Sequence, residues 1–575
     1  MTALICSWDS TNNPEVNSYT TGNSQESLPG ITVPLTADLM REWTYICFQG
    51  AAEYYRAIDL IPDISPPNDN IFSFVGGRWV VNIAVVNAFS SLYQVGEGSD
   101  WLKQFLPGED ELQSGVEKDQ ERAQLTRERA LSRWRESQHF TIREATEAQA
   151  AYLFSLRRDW SLLEDIELLE SIEDTTLRLG NAYRTHYFNT VGGGELTTIL
   201  AEVLDENCPG HPEEWITVLT SGLSDVESNR PTKAIWDVSR VLVESSILNK
   251  AFSTLETSEL MENLLMPPDD TWELFVQKFR KLLDDLGFRG QGELNPYIAT
   301  WDENPEFIVS NLKTAISLTE DRNPYTRELL QTKLREELEE QIIYQLPESI
   351  REEFQENLVL AQRLNRDREA SKANGVRYSR TYRPLVRELG VRFAKKDFVA
   401  DEGDVWWLRL TELRDLVLKD AADPMIQQKV QSRKEEFNFL EEHDLPVLFE
   451  WPVELIPIKS LEVAKKPLSL QGLGVSKGNV TGKARIVKSA LAATEIQLEQ
   501  GEILVAPVTD AGWTPLFVSA GGVVVETGGM LSHAATVARE YGLPAVVNVE
   551  GATSIIPEGS MLSIDGATGK VDINF

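Results

Sequence analysis

The sequence predicts a multidomain protein in which a largely α-helical region precedes a C-terminal α/β domain of mixed strands and helices (β/β/α). Three observations support this prediction. Residues 110–180 and 310–395 are rich in Glu, Arg, Leu and Ala, and their apolar residues recur at helical spacing. After residue 470 the composition becomes rich in Gly and Val. The length of 575 residues also exceeds the span of one hydrophobic core, so several domains are expected.

The helical region is predicted to cover residues 1–450. The helical period is plainest in LTRERALSRWRESQ (125–138) and RELLQTKLREELEEQIIYQL (327–346). The first 100 residues are richer in Pro, Gly and Asn, which predicts loops and short elements. The segment VGGGELTT (191–198) lacks the lysine that a phosphate-binding P-loop requires, and its glycines predict a turn between two helices.

Residues 451–470 (WPVELIPIKSLEVAKKPLSL) are predicted to form a tether between the two regions. Prolines stand at positions 452, 457 and 467. Because proline fixes φ and resists regular structure, the segment should be extended and semi-rigid. A small domain on such a tether is a candidate for movement.

The last domain, residues 471–575, is predicted to alternate strands and helices. Its size of about one hundred residues is sufficient for independent folding. A helix is expected to begin at His533, after a buried strand and a Thr-Gly-Gly turn. The other predicted elements are strands at NVTGKARIV (479–487), GEILVAPV (501–508), GGVVVE (521–526) and PAVVNV (544–549), a short helix at TPLFVSA (514–520), and a final strand pair around SIDGATGKVDI (563–573).

Charge and composition argue against several classes of protein. The net charge of −35 would repel nucleic acid and anionic membranes, so neither is expected as a partner. No window approaches the roughly 18 consecutive apolar residues of a membrane helix, and no secretory signal is visible. Cys6, Cys47 and Cys208 lie far apart and lack metal-ligand spacing. A cytoplasmic protein without a bound metal is expected.

One of only five histidines, His533, lies in the segment ETGGMLSHAATVARE (526–540). Gly528 and Gly529 leave space beside the chain, and Ser532 or Thr527 could cap the helix that follows. His533 would then fall in the first helical turn, where free N–H groups and the helix dipole favour an anion.

The helix N-terminus would stabilise the negative charge of a phosphorylated histidine, whereas it would not stabilise the positive charge of a protonated one. Phosphate-binding groups would be the backbone donors of the turn, the hydroxyls of Thr527 and Ser532, and Arg539. The small residues after His533 should keep the approach open to a donor and an acceptor. A covalent phosphohistidine intermediate therefore suits this chemistry. A lone histidine near a helix start is also commonly structural, and position alone does not decide between the two.

The combination of motifs is more specific. Thr-Gly-Gly (527–529), Ser-His-Ala (532–534) and Gly-Leu-Pro-Ala-Val (542–546) resemble the signature of the phosphohistidine swivelling domain of phosphoenolpyruvate-utilising enzymes. The segments 474–487 and 501–517 are similar to the layout of the same family. The resemblance implies that His533 carries the phosphoryl group and that the domain swivels on its tether.

The first 450 residues resemble the acceptor-binding region of rifampicin phosphotransferase. One departure is Phe288, which stands where that family usually has histidine, so no acid–base role is expected there. The segments that carry the resemblance are ESLPGITVPLT (26–36), GFRGQGELNPYIATWDENP (287–305), RDREASK (366–372) and EGDVWWLRLTELRDL (402–416).

No ATP-binding domain of the family is recognised in the sequence. The arrangement resembles the histidine-carrying subunit of phenylphosphate synthase and of 4-methylphenyl (p-cresol) phosphate synthase. This resemblance implies a separate ATP-binding (ATP-grasp-like) subunit that holds ATP and Mg²⁺, and a small phenolic acceptor. An antibiotic phosphotransferase of the rifampicin type, and a non-catalytic binding protein with a relic histidine domain, remain alternatives.

Acceptor-site candidates come from the family-like segments. Residues 363–397 hold eleven Lys or Arg against four acids. Arg368 and Arg289 are the candidates for neutralising the travelling phosphoryl group. A phenol has a pKa near 10, so its attack benefits from a base, for which Glu293, Glu369 and His186 are candidates. Ion pairs for the arginines and carboxylates, and a core role for His186, are the structural alternatives.

Overall fold

A computed structural model describes the chain in two compact units. The first unit is drawn from Met1–Glu195, Leu294–Tyr297 and Asp367–Ser460, and the second from Leu196–Glu293, Ile298–Arg366 and Leu461–Phe575. The described residues are 5–10, 18–21, 24–57, 72–83, 131–132, 134–135, 138–210, 214–458, 463, 466–488, 496, 498–529 and 532–574. Most of the predicted helix at 125–138 lies outside them.

Helices dominate the described residues up to residue 441, and three short helices follow in the C-terminal domain. The helices of the described residues are α1 Ser24–Ser27, α2 Pro34–Ala57, α3 Gln138–Arg157, α4 Asp165–Asn207, α5 Glu214–Leu219, α6 Arg230–Glu244, α7 Ser246–Thr254, α8 Thr257–Leu265, α9 Asp270–Leu286, α10 Glu306–Ala315, α11 Pro324–Gln345, α12 Glu348–Lys395, α13 Leu410–Lys419, α14 Ile426–Glu441, α15 Thr514–Ser519, α16 His533–Tyr541 and α17 Ala552–Ile555.

Strands are few before residue 443 and dominate after 467. They are β1 Ser18–Thr20, β2 Phe72–Val75, β3 Arg78–Asn82, β4 His443–Asp444, β5 Leu448–Glu450, β6 Ile456–Pro457, β7 Leu468–Gln471, β8 Leu473–Ser476, β9 Asn479–Ile486, β10 Ile503–Ala506, β11 Gly522–Val525, β12 Ala545–Val547, β13 Met561–Asp565 and β14 Lys570–Asn574. The predicted succession of a largely helical region and a C-terminal α/β domain is confirmed.

The first unit combines long helices with a four-stranded sheet of order β2-β3-β1-β5. Tyr19, Val80, Phe449 and Trp451 are buried together against this sheet. The helices α3, α4 and α12 contribute the other main elements. Their apolar residues recur every three to four positions, as the sequence predicts.

Both ends of the predicted tether, residues 451–470, include residues that pack or pair with regular structure. Trp451 is part of the core of the first unit, β6 pairs with β4, and β7 joins the C-terminal sheet. The large apolar side chain of Trp451 gains more from burial than the neighbouring proline costs. The intervening residues 459–462 and 464–465 lie outside the described part of the chain, so the predicted mobility stays a prediction.

The prediction of a helix-to-helix turn at 191–198 is wrong. These residues lie inside the 43-residue helix α4, and the glycines at 192–194 are buried. Glycine costs a helix about 1 kcal/mol relative to alanine, and tertiary packing overrides that preference here. Pro384 lies inside the 48-residue helix α12.

The C-terminal domain is built on an eight-stranded sheet of order β7-β14-β13-β9-β10-β11-β12-β8. The strands β9, β10, β11 and β12 are parallel to one another, and the remaining neighbours are antiparallel. The central strands β10 and β11 are buried along their whole length, as their continuous apolar sequences predict. The core includes Ile503, Val524, Val546 and Leu562.

The second unit joins this domain to helices α5 to α11. Two of its helices show why the sequence folds this way. The helix α9 begins at an Asp269 cap and buries Trp272, Phe275 and Phe279, and α6 buries Ile235 and Trp236. The compact units thus divide the chain differently from the predicted linear ranges, and the boundaries at 451 and 471 stay predictions. Within the described residues, no helix combines the length and apolar character needed to cross a bilayer.

Candidate functional site

The predicted phosphohistidine lies where two neighbouring parallel strands end. The register pairs Ala506 of β10 with Val525 of β11. The chain continues from both strands at one edge of the sheet, where the N–H of Thr527 donates to the carbonyl of Pro507 at 3.0 Å. Carboxyl ends of parallel strands are the usual place for a site in such sheets. His533 follows the turn after β11.

The turn from Thr527 to Ser532 depends on close backbone approach. A Cβ atom at Gly528 would lie 3.1 Å from Oγ of Ser532, so a side chain there would crowd the cap. The N–H of Ser532 donates to the carbonyl of Gly529 at 3.1 Å. Oγ of Ser532 accepts the N–H of Ala535 at 3.2 Å. The prediction that Ser532 caps this helix is confirmed, while the phosphate-binding role of Thr527, Gly528, Gly529 and Ser532 stays a prediction.

The imidazole of His533 is enclosed by two threonine hydroxyls. Nδ1 lies 3.1 Å from Oγ1 of Thr509, and Nε2 lies 3.1 Å from Oγ1 of Thr514. A hydroxyl both donates and accepts, so this pair fits either neutral tautomer. The ring of Phe517 meets the imidazole edge-on at 5.6 Å between centroids. His533 is 7% exposed, so the open approach expected from the sequence is not the state observed.

The loop after β10 also carries a buried carboxylate. Oδ2 of Asp510 accepts the N–H groups of Gly292 at 2.6 Å and Glu293 at 3.1 Å, while Oδ1 accepts the N–H of Gly512 at 2.9 Å. Nε2 of Gln291 donates to the carbonyl of Gly512 at 3.2 Å. These contacts join the loop 289–293 to the residues that flank His533.

Arg289 and Glu293, two of the predicted site residues, therefore lie in a loop bound to the His533 region. Nη1 of Arg289 donates to Oε1 of Glu293 at 2.7 Å, and both side chains are almost fully buried. The guanidinium also lies 3.6 Å from a carboxylate oxygen of Glu227. Among the described residues, Oε2 of Glu293 is buried without a hydrogen-bond partner. A buried acceptor without a donor is costly unless something else supplies one.

The other three acceptor-site candidates lie together in the first unit. Nδ1 of His186 is 3.0 Å from the carbonyl oxygen of Arg368, and therefore donates to it. The guanidinium of Arg368 pairs with the carboxylate of Glu369 at 2.9 Å. Burial lowers the pKa of His186 to about 4, assisted by the nearby charges of Lys372 and Arg368. His186 is thus a weak base fixed to the backbone, which favours its structural alternative.

Arg539 lies near the opposite end of the helix that begins at His533. It occupies the last turn of α16, six residues further on, which corresponds to about 9 Å along the helix axis. Its guanidinium donates to the carbonyl of Val475 at 3.4 Å. The phosphate-binding role of Arg539 stays a prediction.

Several arginines of the basic stretch 363–397 have structural partners. Arg380 donates to the carbonyl of Asn295 at 2.9 Å, and Arg392 pairs with Asp165 at 2.7 Å. These contacts favour the structural alternative for both residues. Over the described part of the chain, no group of three or more His, Cys, Asp or Glu side chains is arranged to hold a metal ion.

Sequence reasoning missed Thr509, Thr514 and Asp510. The parallel pairing of β10 with β11 could have indicated these residues, because it brings the loops that follow both strands to the same edge of the sheet. The segment VTDAGWTP follows β10 directly, and its polar residues are buried despite their type.

Two parts of the chain, one of which contains His533, match models of known domain families. Residues 498–569 match the model of the PEP-utilising enzyme mobile domain, and residues 186–370 match that of the rifampicin phosphotransferase fourth domain.

Curated relatives agree with both matches. The chain is 30% identical over 297 residues to rifampicin phosphotransferase of Bacillus subtilis (strain 168), covering 51% of this chain and 34% of the relative. It is 28% identical over 373 residues to rifampicin phosphotransferase of Streptomyces sviceus, covering 63% and 42%. It is 28% identical over 362 residues to the prodigiosin synthesizing transferase PigC of Serratia marcescens, covering 62% and 40%. The chain thus spans less than half the length of each of these relatives.

Proposed function

We propose that this chain is a phosphotransferase component that carries a phosphoryl group on His533 and transfers it to the hydroxyl of a small phenolic acceptor. The observation that carries the proposal is the position of His533 at the capped N-terminus of α16, where backbone N–H groups are close, inside the segment that matches the mobile domain. Such a histidine has the donors that a phosphoryl group needs close by.

The loading step is proposed to use Mg-ATP bound by a separate ATP-binding subunit. The parts of the chain that match known families are the carrier domain and the fourth domain. In that step a ring nitrogen of His533 would attack the γ-phosphorus of ATP when that nitrogen is accessible: the P–O bond to the β-phosphate breaks, ADP leaves, a P–N bond forms, and the imidazole proton passes to solvent.

In the transfer step the phenol oxygen attacks phosphorus. The P–N bond to His533 breaks, a P–O bond forms, and the phenolic proton passes to a base. Glu293 is our choice for that base because its Oε2 is buried without a partner among the described residues. Arg289, paired with Glu293 at 2.7 Å, would neutralise charge on the phosphoryl oxygens. Arg368 and Glu369 remain second choices.

The test is the intact mass of the chain after incubation with Mg-ATP, at mildly alkaline pH and with a fraction that supplies the ATP-binding subunit. One added phosphate is expected in the wild type and none in His533→Ala. His443→Ala is the matched control, because His443 is an ordinary partly exposed histidine of the first unit, and it should still take the phosphate. A phosphate retained in His533→Ala would refute the carrier assignment.

The acceptor is tested by adding phenol, 4-methylphenol or rifampicin to the loaded protein. We expect loss of the protein-bound phosphate with phenol or 4-methylphenol and appearance of the aryl phosphate. Loss with rifampicin alone would instead favour an antibiotic phosphotransferase, which the resemblance to the Streptomyces sviceus enzyme supports. No phosphate uptake under any condition would favour the relic binding protein.

A further inference from the structure

The observed position of His533 is incompatible with a phosphoryl group on either ring nitrogen. Both nitrogens lie 3.1 Å from a threonine hydroxyl, and Thr509 and Thr514 are themselves buried. A tetrahedral phosphoryl group on Nε2 would occupy the place of the Thr514 hydroxyl, and one on Nδ1 that of Thr509. One of the two threonines must therefore move before His533 is phosphorylated.

The two threonines flank a short turn that is held from outside the carrier domain. The turn Ala511–Trp513 begins at Asp510, directly after Thr509, and is followed by Thr514. Oδ2 of Asp510 accepts two N–H groups of the loop 289–293, and both partners are buried. Charge-assisted bonds of this kind are about twice as strong as neutral ones.

The fit between the turn and the loop is also steric. A Cβ atom at Gly512 would lie 2.2 Å from the carbonyl oxygen of Gly290 and 2.8 Å from the nitrogen of Gln291. The backbone of the turn thus touches the backbone of the loop. The carbonyl of Gly512 accepts the side-chain amide of Gln291 in the same contact.

We infer that Asp510 is a positioning residue: by docking the turn 510–513 on the loop 289–293, it holds Thr509 and Thr514 on His533, and release of this contact makes His533 reactive. The inference depends on His533 being the phosphorylated residue but not on the identity of the acceptor. It assigns to the family-like loop a role in controlling the carrier, in addition to the chemistry proposed for Glu293.

The test measures chemical phosphorylation of His533 by potassium phosphoramidate in the full-length chain. The reagent transfers its phosphoryl group to an imidazole nitrogen, with cleavage of its own P–N bond and release of ammonia. Mass spectrometry of proteolytic peptides gives the rate at His533, with His443 as the internal reference. In Asp510→Asn the rate at His533 should rise on the order of tenfold relative to His443, since the charge-assisted bonds to the loop are lost.

The substitution is chosen to spare the turn itself. Asparagine still caps the N–H of Gly512 through its side-chain oxygen, so only the bonds to Gly292 and Glu293 are lost. The matched control is Asp565→Asn, because Asp565 is half-buried and caps a turn of the same domain through the N–H groups of Ala567 and Thr568. This control should leave the rate at His533 unchanged.

A second variant keeps the inference testable if Asp510→Asn fails to fold. Gly512→Ala leaves the carboxylate in place but pushes the turn off the loop, so it should also accelerate labelling of His533. Equal rates in the wild type and in a folded docking variant would overturn the inference. Absence of any label on His533 in every variant, together with normal labelling of His443, would instead count against His533 as the carrier.

Discussion

At the scale of single residues, short polar side chains make the direct contacts with His533 and its helix cap. Thr509 and Thr514 hold the imidazole of His533 from both sides, and Ser532 caps its helix. The sequence motif around residue 533 predicted the histidine and its cap. It could not predict the threonines, because they come from a different loop that only strand pairing brings to the same edge.

Replacing Thr509 by valine should destabilise the C-terminal domain. The substitution keeps the shape but removes the hydroxyl partner of a buried ring nitrogen, at a cost of about 1–3 kcal/mol. The midpoint of thermal unfolding reports this loss. Thr481→Val is the matched control, because Thr481 lies on the exposed face of β9, where its hydroxyl meets that of Ser563, and it should be close to neutral. Equal effects of the two substitutions would contradict the prediction.

Glu540 should make stability depend on pH. Burial raises the pKa of this carboxyl from 4.5 to about 7, although the N–H of Gly222 donates to it at 3.0 Å. The folded state then binds the proton more tightly than the unfolded chain. The contribution of protonated Glu540 to the free energy of unfolding is fully present below pH 4.5 and is lost as the pH rises towards 7.

The pH dependence is tested with Glu540→Gln, which keeps an acceptor for Gly222 but does not ionise. Between about pH 4.5 and 7, the wild type should lose on the order of 2–3 kcal/mol relative to the variant. Unfolding midpoints measured across this range give the difference. Parallel pH profiles for the two proteins would show that Glu540 does not titrate as proposed.

At the scale of helices and strands, pattern predicted the type of element better than its limits. Every strand expected after residue 478 is present. Short apolar runs bounded by glycine and proline are too short for most helices and are typical of buried strands. The glycines at 192–194 misled, since they are buried within the continuous helix α4 despite the low helix propensity of glycine. Trp451, at the start of the predicted tether, is a large side chain that is buried in the core of the first unit, which the prolines of this segment did not indicate.

The helix α12 provides a test of such close approach. A Cβ atom at Gly375 would lie 2.2 Å from Cε2 of the Tyr183 ring in α4. In an isolated helix Gly375→Ala would be favourable by about 1 kcal/mol. Here it should destabilise the first unit by about 1–3 kcal/mol through overpacking. Chemical denaturation gives the sign of the change in the free energy of unfolding. A stabilised variant would show that the Tyr183 ring moves aside without loss of packing energy.

At the scale of the whole molecule, the carrier domain has its own core but is bound to helices of the same unit. Its core residues, such as Ile503, Val524 and Leu562, all come from the C-terminal domain. Further contacts come from outside: Arg322 donates to the carbonyl of Ala520 at 2.8 Å, and Gly222 to Glu540. The change in composition after residue 470 predicted the C-terminal domain. The contacts with Arg322 and Gly222 could not be predicted, because they are made by residues without a distinctive sequence pattern.

A fragment comprising residues 466–575 should therefore fold but be less stable than the same domain in the full chain. We expect a cooperative thermal transition and a β-rich circular dichroism spectrum, with a midpoint lower than that of the intact protein. The lower midpoint follows from loss of the bonds to Gly222, Gly292 and Arg322. A fragment without a cooperative transition would show that the domain requires the helices to fold.

The order of the C-terminal sheet has a consequence for solubility. The strands β7 and β8 are separated only by Gly472, yet they occupy opposite ends of the strand order, next to β14 and β12. One short stretch of chain, β7 and β8, therefore covers both outermost strands of the rest of the sheet. An edge strand left unpaired can pair with another molecule. Trimming the protein beyond Ser476 would uncover two such edge strands at once, and aggregation would be the first symptom.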